Sequence, residues 1–332
     1  MRIAIDVMGG DHAPDKILEG ALQALPLLEP DDKLILVGNK ELIAPHIAHT
    51  SQHDRIQIEH ASQVITMDDS PIEAIRGKRD SSIVRMVKFG KEGHADAMIS
   101  AGNTGALVAA GVLMLKPLAG VDRPGIACFL PSVKGGVLLC DAGANIQPKP
   151  AHLYQYAVMG SIYAKALGKS APPPSPTVGI LNIGSEDEKG TQLVKDAKAL
   201  IQADPSINFV GYVEGRDIPR HPCDVLITDG FTGNVTLKVT EGFTTAVLQA
   251  LQKEAMSDAD FAVKLKPFLG RALKQYDHEE VGGALLLGVQ GLFFKVHGSA
   301  GARAIKNAVV AAKAVGKLDV NAAIEKRLAK GA

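Results

Sequence analysis

Ala95-Asp96-Ala97-Met98-Ile99-Ser100-Ala101-Gly102-Asn103-Thr104-Gly105 and Cys223-Asp224-Val225-Leu226-Ile227-Thr228-Asp229-Gly230-Phe231-Thr232-Gly233 are written to one template. Asp, Ile, Gly, Thr and Gly recur at the same places, and Ser100 is matched by Thr228. Each stretch reads as a short buried strand, a tight glycine-rich turn and the start of a helix. Such a turn exposes backbone N–H groups at a helix N-terminus, where unpaired amides and the helix dipole favour an anion. Either stretch alone is also what an ordinary strand-to-helix turn looks like. Two of them, with hydroxyls in register, point to a site for phosphate or a similar oxyanion.

Outward from these turns, strand-like runs alternate with helical patterns. Residues 2–7, 33–37, 97–100, 126–130, 137–140, 178–183, 208–212 and 225–228 read as strands, many of them continuously apolar and β-branched, as strands covered on both faces are. Helical periodicity fills 14–28, 81–92, 151–167 and 191–203. The alternation predicts an α/β fold with a mostly parallel, doubly wound sheet, whose ligands bind beyond the carboxyl ends of the strands. The chain reads as one catalytic domain over 1–332. The proline-rich run at 169–176 is either a boundary between two lobes, near 169–177, or a long helix-to-strand connection.

The stretch 241–276 differs and reads as a helical excursion. Phe243, Val247, Leu248 and Leu251 form an apolar stripe at helical spacing. Farther on, Lys264, Lys266, Arg271 and Lys274 lie among Leu265, Phe268 and Leu269, with Pro267 interrupting. The expectation is a protruding helical hairpin in a dimer interface, with Leu265, Phe268 and Leu269 at its tip contacting an anionic membrane surface.

Composition narrows the function classes. Lysine plus arginine and aspartate plus glutamate both number 36, so no overall field recruits nucleic acid. Aromatic residues make up 4% and tryptophan is absent, which argues against stacking platforms for single strands. The cysteines Cys128, Cys140 and Cys223 lie in apolar runs without a CxxC pair and read as reduced core residues. The chain opens directly on a strand, and no apolar run is long enough to span a bilayer; a cytoplasmic protein is expected.

The residues that carry chemistry cluster after strands. Asp6-Val7-Met8-Gly9-Gly10-Asp11-His12-Ala13-Pro14 offers two glycines for a sharp exit, with Asp11 as a candidate helix cap and His12 as either an acid–base group or a structural one. Gly102, Asn103, Thr104 and Gly105 offer amides, a carboxamide and a hydroxyl, all donors to a phosphate oxygen or a developing oxyanion. Asp229, Thr232, Gly233 and Asn234 offer a similar set; Asp229 either holds a cation, orients a donor or caps the helix. Asp141 and Asn145 follow another buried strand, as does Ser185, whose neighbours Glu186, Asp187 and Glu188 suit the first turn of a helix. Lys295, His297 and Ser299 combine a cation, an imidazole and a hydroxyl, either as a phosphate pocket or as surface residues. There is no nucleophile elbow, phosphate-binding P-loop, dinucleotide fingerprint or zinc motif, so no cofactor or metal is expected.

At these residues the chain resembles the acyl-ACP:phosphate acyltransferases of bacterial phospholipid synthesis. The resemblance rests on 6–14, 100–106, 141–145, 182–186, 229–234 and 297–299, ordered along the whole chain. It implies transfer of a long-chain acyl group from acyl carrier protein to inorganic phosphate, giving an acyl phosphate for a membrane-bound glycerol-3-phosphate acyltransferase. It also implies a cytoplasmic homodimer with peripheral membrane association, and a fold similar to phosphotransacetylases and to isopropylmalate dehydrogenase. The expected chemistry is direct attack of phosphate on the thioester. Phosphate would rest on Gly102, Thr104 and Gly105 with help from Lys295 or His297, while Thr232, Gly233 and Asn234 stabilise the oxyanion. Asn103, Asp229, Asn234 and His297 are the candidate catalytic residues; Asp6, Gly9, Gly10, Asp141, Asn145 and Ser185 complete the crevice. The rivals are a short-chain phosphotransacetylase using acyl-CoA, a nicotinamide-dependent decarboxylating dehydrogenase and a non-catalytic regulator.

Overall fold

The structure, a computed structural model, describes residues 1–168, 175–255 and 282–329. The chain forms two compact units, Met1–Ile126 with Val281–Ala332, and Ala127–Glu280. This division lies away from the proline-rich run, which was read as either a lobe boundary or a helix-to-strand connection. That run connects a helix to a strand inside the second unit, and its residues 169–174 lie outside the described residues.

The first unit opens with β1 (Arg2–Asp6), α1 (Asp15–Ala24), β2 (Lys33–Gly38), α2 (Lys40–Ile47) and β3 (Ile56–His60). It continues through α3 (Pro71–Gly77), α4 (Ser82–Lys91), β4 (Ala97–Ser100) and α5 (Thr104–Ala110), which runs on into a π-helical turn, Gly111–Leu115. Strand β5 (Gly125–Ser132) carries the chain into the second unit, made of β6 (Gly135–Cys140), α6 (Pro150–Ala166), β7 (Thr177–Asn182), α7 (Gln192–Gln202), β8 (Asn208–Glu214), β9 (Val225–Ile227) and α8 (Gly230–Ala255). The first unit closes with β10 (Ala284–Leu287), β11 (Leu292–Lys295), α9 (Ala302–Gly316) and α10 (Val320–Leu328).

In the first unit the strands lie in the order β3-β2-β1-β4-β11-β10, parallel except for β10 against β11. In the second the order is β5-β6-β9-β7-β8, parallel except for β5 against β6. The α/β class and mostly parallel sheet are as the alternation predicts. Strands β1, β4 and β9 are continuously apolar because helices cover both faces, so Ile3, Ile5, Ile99 and Ile227 are fully buried. Edge strand β3 escaped that reading: Ile56-Gln57-Ile58-Glu59-His60 alternates apolar and polar, as a strand with one open face does.

Local chemistry explains the helix starts. Ser81 accepts from the Val84 amide at the head of α4, and Asn39 from Glu41 at the head of α2. Two expected caps differ. Asp11 does not cap α1, which begins at Asp15 behind Pro14 without a side-chain cap. Glu186, Asp187 and Glu188, expected in the first turn of a helix, lie in the turn before α7, which is capped by Thr191 accepting from the Val194 amide. Cys128, Cys140 and Cys223 are free and buried, and burial pushes the Cys128 and Cys223 thiols up to about 12, so none is a ready thiolate. Among the described residues no helix is long and apolar enough to cross a membrane. Leu265, Phe268 and Leu269, expected at the tip of the excursion, lie outside the described residues.

Candidate active site

The first unit gathers its candidates at the carboxyl ends of β1, β4 and β11. Asp6 ends β1 fully buried, and its carboxylate accepts from the Ser100 hydroxyl (2.6 Å) and the Met8 amide (3.2 Å). Ser100 Oγ in turn accepts from the Gly102 amide at 3.0 Å. Burial raises the Asp6 pKa, against hydrogen bonds from Ser100, Ser82, Met8 and Gly9 that lower it. Glycine is required at position 9 because a Cβ there would lie 2.3 Å from Asp6 Oδ2 and 2.8 Å from the Gly102 amide. The Asp11 amide donates to Gly298 O (2.8 Å) and the Val296 amide to Ser100 O (2.9 Å), which ties the three strand ends together.

The α5 turn differs from its expected role in two ways. The Gly102 amide is directed inward to Ser100, away from any ligand. Asn103 caps α5, its Oδ1 accepting from the Ala106 amide at 3.0 Å. Its Nδ2 donates to Thr66 O, Met67 O and Asp69 O at 3.2, 3.1 and 3.2 Å. The carboxamide expected to face a developing oxyanion is thus spent on structure. The amides of Thr104 and Gly105, at the first two positions of α5, have no acceptor within the helix. Thr104 and Lys295 line one narrow hollow with Leu107, Val108, Ile126, Leu286 and Phe293. Lys295 Nζ donates to Val296 O. His297 Nδ1 accepts from the Ser299 amide (3.2 Å) and lies 2.7 Å from the Ser299 hydroxyl, an arrangement that assigns the ring proton to Nε2.

The second unit has its own cluster at the ends of β6 and β9. Buried Asp141 accepts the amides of Gly143 (3.0 Å), Ala144 (2.9 Å) and Asn145 (2.7 Å). Asn145 Nδ2 donates to Tyr156 OH at 2.7 Å, and Asn145 O accepts the Gly230 amide at 2.8 Å. Asp229 resolves its open readings as a cap: it accepts the Thr232 amide (2.9 Å) and hydroxyl (2.7 Å), and its carbonyl accepts the Gly233 amide (2.9 Å). Thr232 and Gly233, expected to donate to a phosphate oxygen or the developing oxyanion, donate to Asp229 instead. Asn234 is exposed beside Gly143, and Ser185 is exposed after β7. The shared template therefore folds in two registers: Thr104 opens α5, whereas Thr232 is the third residue of α8.

Sequence reasoning missed three large apolar residues that follow strands of the second unit. Ile146, Ile183 and Phe231 are 67%, 80% and 63% exposed. The Asn145–Gly230 hydrogen bond makes Ile146 and Phe231 the next residues of two joined segments, and Ile183 follows β7, the neighbour of β9. For Ile183, an apolar residue directly beyond the end of β7 was the available signal. The Asn103 contacts with 66–69 carried no comparable signal, since nothing in the sequence pairs them.

Residues 1–323 match the family described as "Fatty acid synthesis protein". The phosphate acyltransferase of Brevibacillus brevis is 45% identical over 335 residues, covering 99% of this chain and 98% of that protein. This chain belongs to the phosphate acyltransferase family. A second member, from Oceanobacillus iheyensis, is 44% identical over 98% of this chain and 96% of its own length. Beyond the family, a phosphotransacetylase from Streptococcus pyogenes matches the fold with a TM-score of 0.62 at 17% identity, over 95% of this chain and 94% of that one. A branched-chain phosphotransacylase from Enterococcus faecalis follows at 0.59 and 14%, over 96% and 99%. These two similarities concern the fold alone.

Proposed function

We propose that this acyltransferase moves a long-chain fatty acyl group from the thioester of acyl carrier protein to inorganic phosphate, giving an acyl phosphate. The observation that carries the reading is the head of α5, where the Thr104 and Gly105 amides lack acceptors within the helix, just beyond the strand β4 whose last residue, Ser100, is in register with Lys295 of β11. Amide donors, a hydroxyl and an ammonium are the groups that hold a phosphate. The full-length likeness to proteins named phosphate acyltransferase supports the same reading.

Phosphate is already anionic at neutral pH, so positioning matters more than a strong base. A phosphate oxygen attacks the thioester carbonyl, a C–O bond forms, the C–S bond breaks, and the carrier thiolate leaves to take a proton. His297, protonated on Nε2, supplies a donor to the phosphate or to the developing charge. Asn234, exposed beside Gly143, is the candidate donor in the second unit. Exposed Ile146, Ile183 and Phe231 support a hydrocarbon substrate, because large apolar groups at strand ends are costly to leave in water. Along α8, Val235, Val239, Phe243, Val247 and Leu251 are also exposed at four-residue spacing, which supports a homodimer; sedimentation equilibrium at the mass of one chain would remove that reading. Peripheral contact with anionic membrane through 261–276, with delivery of product to a membrane-bound glycerol-3-phosphate acyltransferase, completes the proposal; failure to float with anionic vesicles would remove the membrane part.

The test is direct. Purified protein is mixed with phosphate and carrier-protein thioesters of increasing chain length, and acyl phosphate is trapped with hydroxylamine. Product is expected with palmitoyl carrier protein, and kcat/KM is expected to rise from short to long chains. Product from acetyl-CoA alone would replace this reading with that of a short-chain phosphotransacetylase.

A further inference from the structure

The segment 66–69 folds against the head of α5. Three of its carbonyls, those of Thr66, Met67 and Asp69, converge on one nitrogen, Asn103 Nδ2, at 3.1–3.2 Å. Asp69 also accepts from Lys78 Nζ and from the Thr66 amide (2.7 Å), which closes the segment into a compact turn. Pro71, two residues on, lies where a Cβ on Gly105 would come within 2.6 Å. The turn thus sits against the first residues of α5. Met67 is 51% exposed, and its methyl lies 3.5 Å from where a Cβ on Gly298 would be, so it reaches across to the loop that holds His297 and Ser299.

We propose that Asn103 is a positioning residue: through one carboxamide it caps α5 and fastens the 66–69 turn beside the amides of Thr104 and Gly105. This deepens the phosphate-binding reading and rests on it. Carbonyl oxygens are negative dipole ends. Left unpaired at the rim of an anion site they would repel phosphate, and Nδ2 turns three of them onto a donor. Oδ1 meanwhile takes the Ala106 amide, while those of Thr104 and Gly105 have no acceptor within the helix. The side chain acts on phosphate through its neighbours, without touching it.

Asn103→Ser tests this, because serine keeps a capping oxygen and removes the donor to the turn. Two readouts are taken on the full chain. In hydrogen exchange, amides of 62–70 are expected to exchange at least ~10-fold faster while the later turns of α4 keep their protection. In steady-state kinetics, KM for phosphate is expected to rise ~10-fold, with kcat and KM for the acyl donor within about 2-fold. Met67→Ala, which spares the fastening, is expected to leave the exchange of 62–70 unchanged. Unaltered exchange in Asn103→Ser would overturn the fastening role whether or not the protein proves to be an acyltransferase. A fall in kcat of ~100-fold at constant phosphate KM would instead make Asn103 a direct donor to the transition state and overturn the proposal. Absence of turnover in the unaltered protein, with exchange responding as expected, would refute the functional reading alone.

Discussion

At the scale of single residues, the two glycine-rich turns share a template and differ in what their side chains do. Asn103 and Asp229 both end up as helix caps, yet they occupy different template positions, because α8 starts two places earlier than α5. The cost of crowding such a turn is measurable. A Cβ on Gly233 would lie 1.9 Å from Asp141 O, and that carbonyl belongs to a segment pinned by three amides on the Asp141 carboxylate. Gly233→Ala is therefore expected to lose about 1–3 kcal/mol in urea unfolding, the usual range for overpacking a fixed site. A variant as stable as the parent would show that the Asp141 turn yields easily. Asp6 illustrates a role no residue pattern revealed. Its aspartate at the end of an apolar strand was visible, but Ser100 and Ser82 come to it only through the fold.

At the scale of elements, β1, β4, β6 and β9 were legible because burial on both faces made them largely apolar, whereas β10, Ala284-Leu285-Leu286-Leu287, is equally apolar and was not read as a strand. Edge strand β3 was not, since alternation over five residues resembles a polar loop. The site was half legible: the turns after β1, β4, β6, β9 and β11 were found, whereas the internal use of the Gly102 amide, Thr232 and Asn103 depends on distances that spacing does not fix. One element carries a pH prediction. Asp80 joins Ser62, through its amide (3.0 Å) and hydroxyl (2.5 Å), to Arg85 of α4 (2.7 Å). The Ser62 hydrogen bonds, followed by that from Arg85, hold the Asp80 pKa down to about 2. The folded value lies below the unfolded one near 3.8, so this stabilisation is present above about pH 4 and lost as pH falls from 4 to 2. The urea midpoints of the parent and Asp80→Asn are expected to differ at pH 6 and to converge toward pH 2. A gap that stays constant across that range would assign the difference to packing.

At the scale of the whole molecule, likeness to the phosphate acyltransferases extends over nearly the entire chain, and the site residues lie where an α/β sheet binds ligands, beyond the carboxyl ends of its strands. The central claim is that phosphate is held by the head of α5. A crystal grown in phosphate and solved to a resolution that shows the ion tests it most directly. The account predicts a tetrahedral ion within hydrogen-bonding distance of the Thr104 and Gly105 amides and of Lys295 Nζ; an ordered phosphate bound elsewhere, with those amides facing only water, would contradict it.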